Sequence, residues 1–202
     1  MIWYEDEVRQ LETKIKSNLS TSDRVVFYGS SSIRLWSTLA QDFPDITALN
    51  LGFGGSTLAA CAWFFERLVV PANPRCIVFY AGDNDLGDNR HPEEVYLFFC
   101  ALAEKVRRQL PDTQFYYLSI KLSPARWDIA DKIRATNKLI ADKINELPNF
   151  KTIDMTTALL GTDGKPRREF FQADGLHLTP AGYQVWKQVL QQLQIFNNLF
   201  TY

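Results

Sequence analysis

Three serines in a row, Ser30-Ser31-Ser32, follow Gly29 at the end of the apolar run Val25-Val26-Phe27-Tyr28. A serine hydroxyl attacks an ester carbonyl only when a base takes its proton, and histidine is the usual base near neutral pH. The chain has two histidines. His91 precedes Pro92 at a helix start, where an exposed or capping side chain is the ordinary outcome. His177 closes Asp174-Gly175-Leu176-His177, and a carboxylate three residues upstream can fix the imidazole tautomer and stabilise its charged form. Acyl transfer also needs donors for the developing oxyanion. Gly54 or Gly55, in Gly52-Phe53-Gly54-Gly55-Ser56, allows close backbone approach, and Asn84, in Gly82-Asp83-Asn84-Asp85, brings a side-chain amide. Taken singly, each is an ordinary turn residue.

These residues act together only if the elements around them bring their loops side by side. Tyr4, Val8, Leu11 and Ile15 have helical spacing. Ser22-Asp23 breaks to a strand over 24–28, a second strand covers about 46–51, and a helix follows from Thr57 to about Val69 before Pro71 and Pro74. Cys76-Ile77-Val78-Phe79-Tyr80 is apolar throughout, as a strand covered on both faces is. Pro92 with Glu93-Glu94 opens a helix reaching about Leu110. Phe115 to Ile120 is the fourth strand. Pro124 is expected to open a long helix striped by Ile129, Ile133, Ile140, Ile144 and Leu147. Lys151–Asp154 is a short fifth strand, and Thr179-Pro180 caps and starts the last helix. Alternating strands and helices predict an α/β fold: a three-layer α/β/α sandwich around a parallel sheet, with residues 1–202 as one domain. Ligands of such sheets bind at the carboxyl ends of the strands, where the serine, glycine and asparagine loops lie.

Composition narrows the classes. A length of 202 residues with 46% hydrophobic content supports a substantial core. A net charge of −1 argues against a nucleic-acid surface. The acidic start is not a signal peptide, and no apolar run is long enough to span a bilayer, so no stable membrane insertion is expected. Cys61, Cys76 and Cys100 have apolar neighbours and read as reduced core residues of a cytoplasmic protein. The aromatic tail 193–202 packs on its own domain or on a second copy, as in a homodimer.

Gly29-Ser30-Ser31-Ser32, Gly52-Phe53-Gly54-Gly55-Ser56-Thr57, Gly82-Asp83-Asn84-Asp85 and Asp174-Gly175-Leu176-His177 together resemble, in order, the four blocks of the SGNH (GDSL) hydrolase superfamily. The sequence is most similar there to the platelet-activating-factor-acetylhydrolase-like esterases. The resemblance implies a flavodoxin-like, five-stranded parallel sheet of order 2-1-3-4-5 and a serine esterase acting on a small-molecule ester, possessing no cofactor and no metal. It implies Ser31, Asp174 and His177 as catalytic residues. The implied oxyanion hole is formed by Ser31, Gly55 and Asn84, Gly55 being preferred over Gly54 by the family's Gly-x-Thr pattern. Ser30 stands where the family usually has aspartate, a departure in the first block. Arg126 and Trp127, after the fourth strand, are candidate substrate contacts or packing residues at the start of the long helix. Two other readings are a non-catalytic binding module on the same fold and a metal-dependent phosphoesterase using Asp83, Asp85 and Asp88.

Overall fold

The structure, a computed structural model, describes residues 1–17, 24–193 and 196. The break at Ser22-Asp23 and all of the aromatic tail except Leu193 and Phe196 lie outside the described residues.

Five parallel strands, β1 (Arg24–Gly29), β2 (Thr47–Gly52), β3 (Cys76–Tyr80), β4 (Gln114–Leu118) and β5 (Phe150–Ile153), form one sheet of order β2-β1-β3-β4-β5. The helices are α1 (Glu5–Ser17), α2 (Ser31–Arg34), α3 (Leu39–Asp42), α4 (Leu58–Leu68), α5 (Asp83–Gly87), α6 (Pro92–Gln109), α7 (Ala130–Ile144) and α8 (Pro180–Gln192). The expected sandwich and strand order are both present.

Because strand side chains alternate between faces, the central strands feed two cores. Val26, Tyr28, Ile77, Phe79, Phe115 and Tyr117 join the core that also holds residues of α1, α4, α6 and α7. Val25, Phe27, Val78, Tyr80, Tyr116 and Leu118 join the other, with Ile33, Trp36, Leu39, Tyr183 and Trp186. β1 and β3 are buried along their whole lengths, which explains their unbroken apolar sequence. Burying each large apolar side chain contributes roughly 1.5–3 kcal/mol.

Register sets up the site. Gly29 pairs with Gly52 on one side and with Tyr80 on the other, so three strands finish level and their loops emerge side by side. Gly29 is required there: its φ is +137°, and a Cβ would lie 1.9 Å from the Tyr80 carbonyl oxygen. Its own carbonyl accepts the Phe53 N–H at 3.0 Å and the Ser56 hydroxyl at 3.1 Å, which stitches the glycine loop to the end of β1.

Two boundaries differ from expectation. β4 stops at Leu118, because the Asn137 amide donates to the Ile120 carbonyl and accepts the Ile120 N–H, each at 2.8 Å. The helix expected from Pro124 is instead a 3-10 stretch, Pro124–Ile129, broken at Arg126, with α7 starting at Ala130. The Ala125 N–H is drawn to the Gly175 carbonyl at 3.0 Å, which ties this segment to the loop carrying His177. The stripe survives: Ile133, Ile140 and Ile144 are buried, while Ile129 and Leu147 pack partly buried against the same core.

Candidate active site

Ser31 is the first residue of α2, immediately after the Gly29–Ser30 turn. As the first helical residue it has no intrahelical acceptor for its N–H. The Ser30 N–H donates to the Tyr80 carbonyl at 2.9 Å, while the Ser30 carbonyl accepts the Ile33 N–H at 2.9 Å and the Arg34 N–H at 3.1 Å. This pins the turn between β1 and α2.

The two flanking serines differ in what their hydroxyls meet. The Ser32 hydroxyl accepts from Lys121 Nζ at 3.2 Å. The Ser30 hydroxyl is buried and has no hydrogen-bond partner.

His177 reaches the serine from a loop closed by an antiparallel bridge between Phe171 and Leu178. Gln172 clamps it further: its N–H donates to the His177 carbonyl at 2.8 Å, and its side chain donates to the Leu178 carbonyl at 2.9 Å. Gly175, with φ +67°, makes the left-handed turn that the Asp174 side chain reinforces. Asp174 Oδ1 accepts the Leu176 N–H at 2.8 Å and the His177 N–H at 3.0 Å.

Asp174 Oδ2 lies 2.6 Å from His177 Nδ1, and His177 Nε2 lies 3.0 Å from Ser31 Oγ. Desolvation pushes the Asp174 carboxyl up, but the bonds from the His177 ring and the two N–H groups outweigh it and hold it at about 2. An ionised carboxylate can only accept. The proton of neutral His177 therefore sits on Nδ1, and Nε2 is left as an acceptor facing the serine.

Asn84 is in the first turn of α5, and its Nδ2 donates to the Ser56 carbonyl at 3.0 Å. One amide hydrogen is thus used in joining two loops, and the second remains available. The two glycines differ in their surroundings. The Gly54 N–H is committed to Glu7 Oε2 at 2.9 Å. Gly55 adopts φ +64°, has nothing within 4 Å of where a Cβ would stand, and accepts the Tyr4 hydroxyl on its carbonyl at 2.9 Å. Glu7 Oε1 also lies 3.6 Å from Arg34 Nε, so α1 braces both the glycine loop and the serine helix.

Arg126 lays its guanidinium against Gly87, where a Cβ would stand 2.4 Å from Cζ. Its Nε is buried without a hydrogen-bond partner. Gly87 lies three residues after Asn84, so the two share a face of α5. The Trp127 ring meets the Arg134 guanidinium at 5.7 Å, which favours packing for much of its surface. His91 is the exposed N-cap of α6, its N–H donating to Glu94 Oε2 at 2.8 Å.

Asp83, Asp85 and Asp88 do not form a ligand set. Asp83 Oδ2 accepts from Lys121 at 3.2 Å and Asp85 Oδ2 from the Leu58 N–H at 2.7 Å, and among the described residues no group of three His, Cys, Asp or Glu could hold a metal ion. Cys61 and Cys76 are buried and Cys100 is half-buried. No helix among the described residues is long and apolar enough to cross a membrane.

Sequence reasoning missed Lys121, Tyr4 and Glu7. Lys121 carried no motif signal, and Tyr4, in the 3-10 turn Ile2–Tyr4, and Glu7, in α1, belong to a stretch that reads as ordinary amphipathic helix.

Residues 21–185 match the model of the GDSL-like Lipase/Acylhydrolase family, and the chain belongs to that family. Membership supports ester hydrolysis in general terms. Solved structures agree on the fold. A Streptococcus pneumonia protein assigned as a platelet activating factor superposes with a TM-score of 0.82 at 21% identity, over 95% of this chain and 94% of that one. A GDSL-like lipase from Bacteroides thetaiotaomicron gives 0.78 at 21% identity, over 92% and 96%. A variant of an acetyl-xylooligosaccharide esterase from Geobacillus Stearmophilus gives 0.71 at 13% identity, over 91% and 99%. No curated protein matches the chain.

Proposed function

We propose that this protein is a serine esterase that hydrolyses acetyl or other short-acyl esters of a lipid, sugar or small molecule. The observation that carries the reading is the unbroken hydrogen-bonded chain from Asp174 through His177 to Ser31. Family membership adds the reaction class, and the acetyl-xylooligosaccharide esterase among the structural neighbours makes short acyl groups the first to try.

In this reading the Ser31 hydroxyl oxygen attacks the ester carbonyl carbon as its proton passes to His177 Nε2. The Asp174 carboxylate holds the imidazole in orientation and stabilises the imidazolium. The oxyanion is held by the Ser31 and Gly55 N–H groups and the free hydrogen of the Asn84 amide. His177 then gives its proton to the departing alcohol oxygen, leaving an acyl group on Ser31. Water, deprotonated by His177, attacks that acyl carbon, and His177 returns the proton to Ser31 Oγ as its bond to the acyl group breaks, releasing the acid and restoring the free serine. In this reading the Arg126 guanidinium, against the Asn84 face of α5, meets an anionic part of the substrate, with Trp127 beside it.

Fluorophosphonate labelling with peptide mapping tests the reading. Modification of Ser31 alone supports it. Folded protein that takes no label favours a binding role on the same fold.

A further inference from the structure

Lys121 follows β4, and its side chain is 0% exposed. Its ammonium group has three donors and three acceptors around it: Tyr80 Oη at 3.0 Å, Ser32 Oγ at 3.2 Å and Asp83 Oδ2 at 3.2 Å. Each acceptor comes from a different part of the site. Ser32 follows the nucleophile candidate. Tyr80 ends β3, level with Gly29. Asp83 precedes Asn84 and accepts the Asn84 N–H on its other oxygen at 3.0 Å.

We propose that Lys121 is a positioning residue that fixes the spacing between the Ser31 and Asn84 oxyanion donors; this rests on the serine-esterase reading above. The backbone N–H of Ser31 and the amide of Asn84 belong to two separate loops, and both must aim at one oxygen atom. Lys121 binds the side chains immediately next to each of them. A buried lysine–aspartate pair adds little net stability compared with an apolar pair of similar volume, and the Tyr80 ring, 5.0 Å from the ammonium, belongs to an apolar and aromatic core in which it meets Trp186. Stability alone therefore gives little reason for an ion pair at this point, whereas a rigid three-way joint between the loops does. Lys121 itself touches neither Ser31 nor His177 among its hydrogen bonds, so its action is through its neighbours.

The test is a cycle on a short-acyl p-nitrophenyl ester, with fluorophosphonate labelling of Ser31 run in parallel. The main variant is Lys121→Met with Asp83→Asn, which leaves no unpaired buried charge and keeps an acceptor for the Asn84 N–H. Misplacing a donor by about 1 Å lowers kcat about a hundredfold, so a loss of about tenfold to a hundredfold is expected with KM within about threefold. Placed on Asn84→Ala, the same pair of changes should add little further loss, because the donor being positioned is already gone. If the paired variant fails to fold, as judged by thermal melting, Tyr80→Phe replaces it. Tyr80→Phe removes one acceptor of Lys121 and one donor to Asp83 Oδ2 but no charge, and a smaller kcat loss with the same non-additivity is expected. A kcat within twofold of wild type, or losses that multiply in the Asn84→Ala background, overturns the proposal alone. Wild-type protein with neither turnover nor label overturns this proposal and the esterase reading together.

Discussion

Ser31 Oγ and His177 Nε2 stand 3.0 Å apart although 146 positions of sequence separate them. Two independent constraints bring them there. The sheet register aligns Gly29 with Tyr80 and so sets where the serine turn emerges, and the Phe171–Leu178 bridge holds the histidine loop above it.

Ser31→Ala is expected to lower kcat on a short p-nitrophenyl ester by more than about 10⁴-fold, with an unchanged melting temperature. Ser30→Ala is the paired control. It removes a buried hydroxyl that has no partner, so kcat should stay within about twofold and stability should hold or rise. A severe loss in Ser30→Ala alone would reverse the assignment.

Asp174 is held at about 2, against an ordinary value of 3.8. Its ionised form therefore stabilises the fold above pH 3.8, and that contribution is lost as pH falls through about 2. Asp174→Asn should melt below wild type at pH 5, with the gap closing as the pH drops towards 2. A gap independent of pH would show that the carboxylate's charge does not contribute.

Asp85 has the opposite sign. Burial pushes its carboxyl up to about 6 against the bond from the Leu58 N–H that lowers it, and Oδ1 is buried without a partner. The stability linked to this group is full below pH 3.8 and lost as pH rises through about 6. Melting temperatures measured from pH 7.5 to pH 4.5 should rise for wild type relative to Asp85→Asn. Parallel curves would refute the assignment.

Gly29→Ala should cost more than about 3 kcal/mol, combining left-handed strain with a backbone clash. The clash is with the Tyr80 carbonyl, 1.9 Å from the added Cβ. Chemical denaturation measures it, and a loss below 1 kcal/mol would mean that the strands can part without penalty.

Much of the frame is legible in the sequence because it depends on short-range patterns. Cys76–Tyr80 reads as a buried strand since every residue is apolar, and Thr179-Pro180 reads as a helix start since cap and ring both act locally. The Asp174–His177 loop is equally local: its hydrogen bonds span two or three residues. Long-range contacts leave no such trace. Lys121 in Ile120-Lys121-Leu122 looks like any surface lysine, and its burial follows from residues 38 to 89 positions away. The break at Arg126 was hidden for the same reason, since it depends on a carbonyl at Gly175. Only the family's Gly-x-Thr pattern separates Gly54 from Gly55 in the sequence, and the Glu7 carboxylate that occupies the Gly54 N–H comes from 47 positions upstream.

The Tyr4 and Glu7 contacts bear on how small a working fragment can be. The family match begins at residue 21, and a truncation cut there would keep Ser31, Gly55, Asn84, Asp174 and His177 while discarding both supports of the glycine loop. Such a fragment would be complete by motif and deficient by mechanics. Tyr4 and α1 act as a splint: deleted, they should slow turnover, and supplied separately as a peptide they should restore part of what was lost.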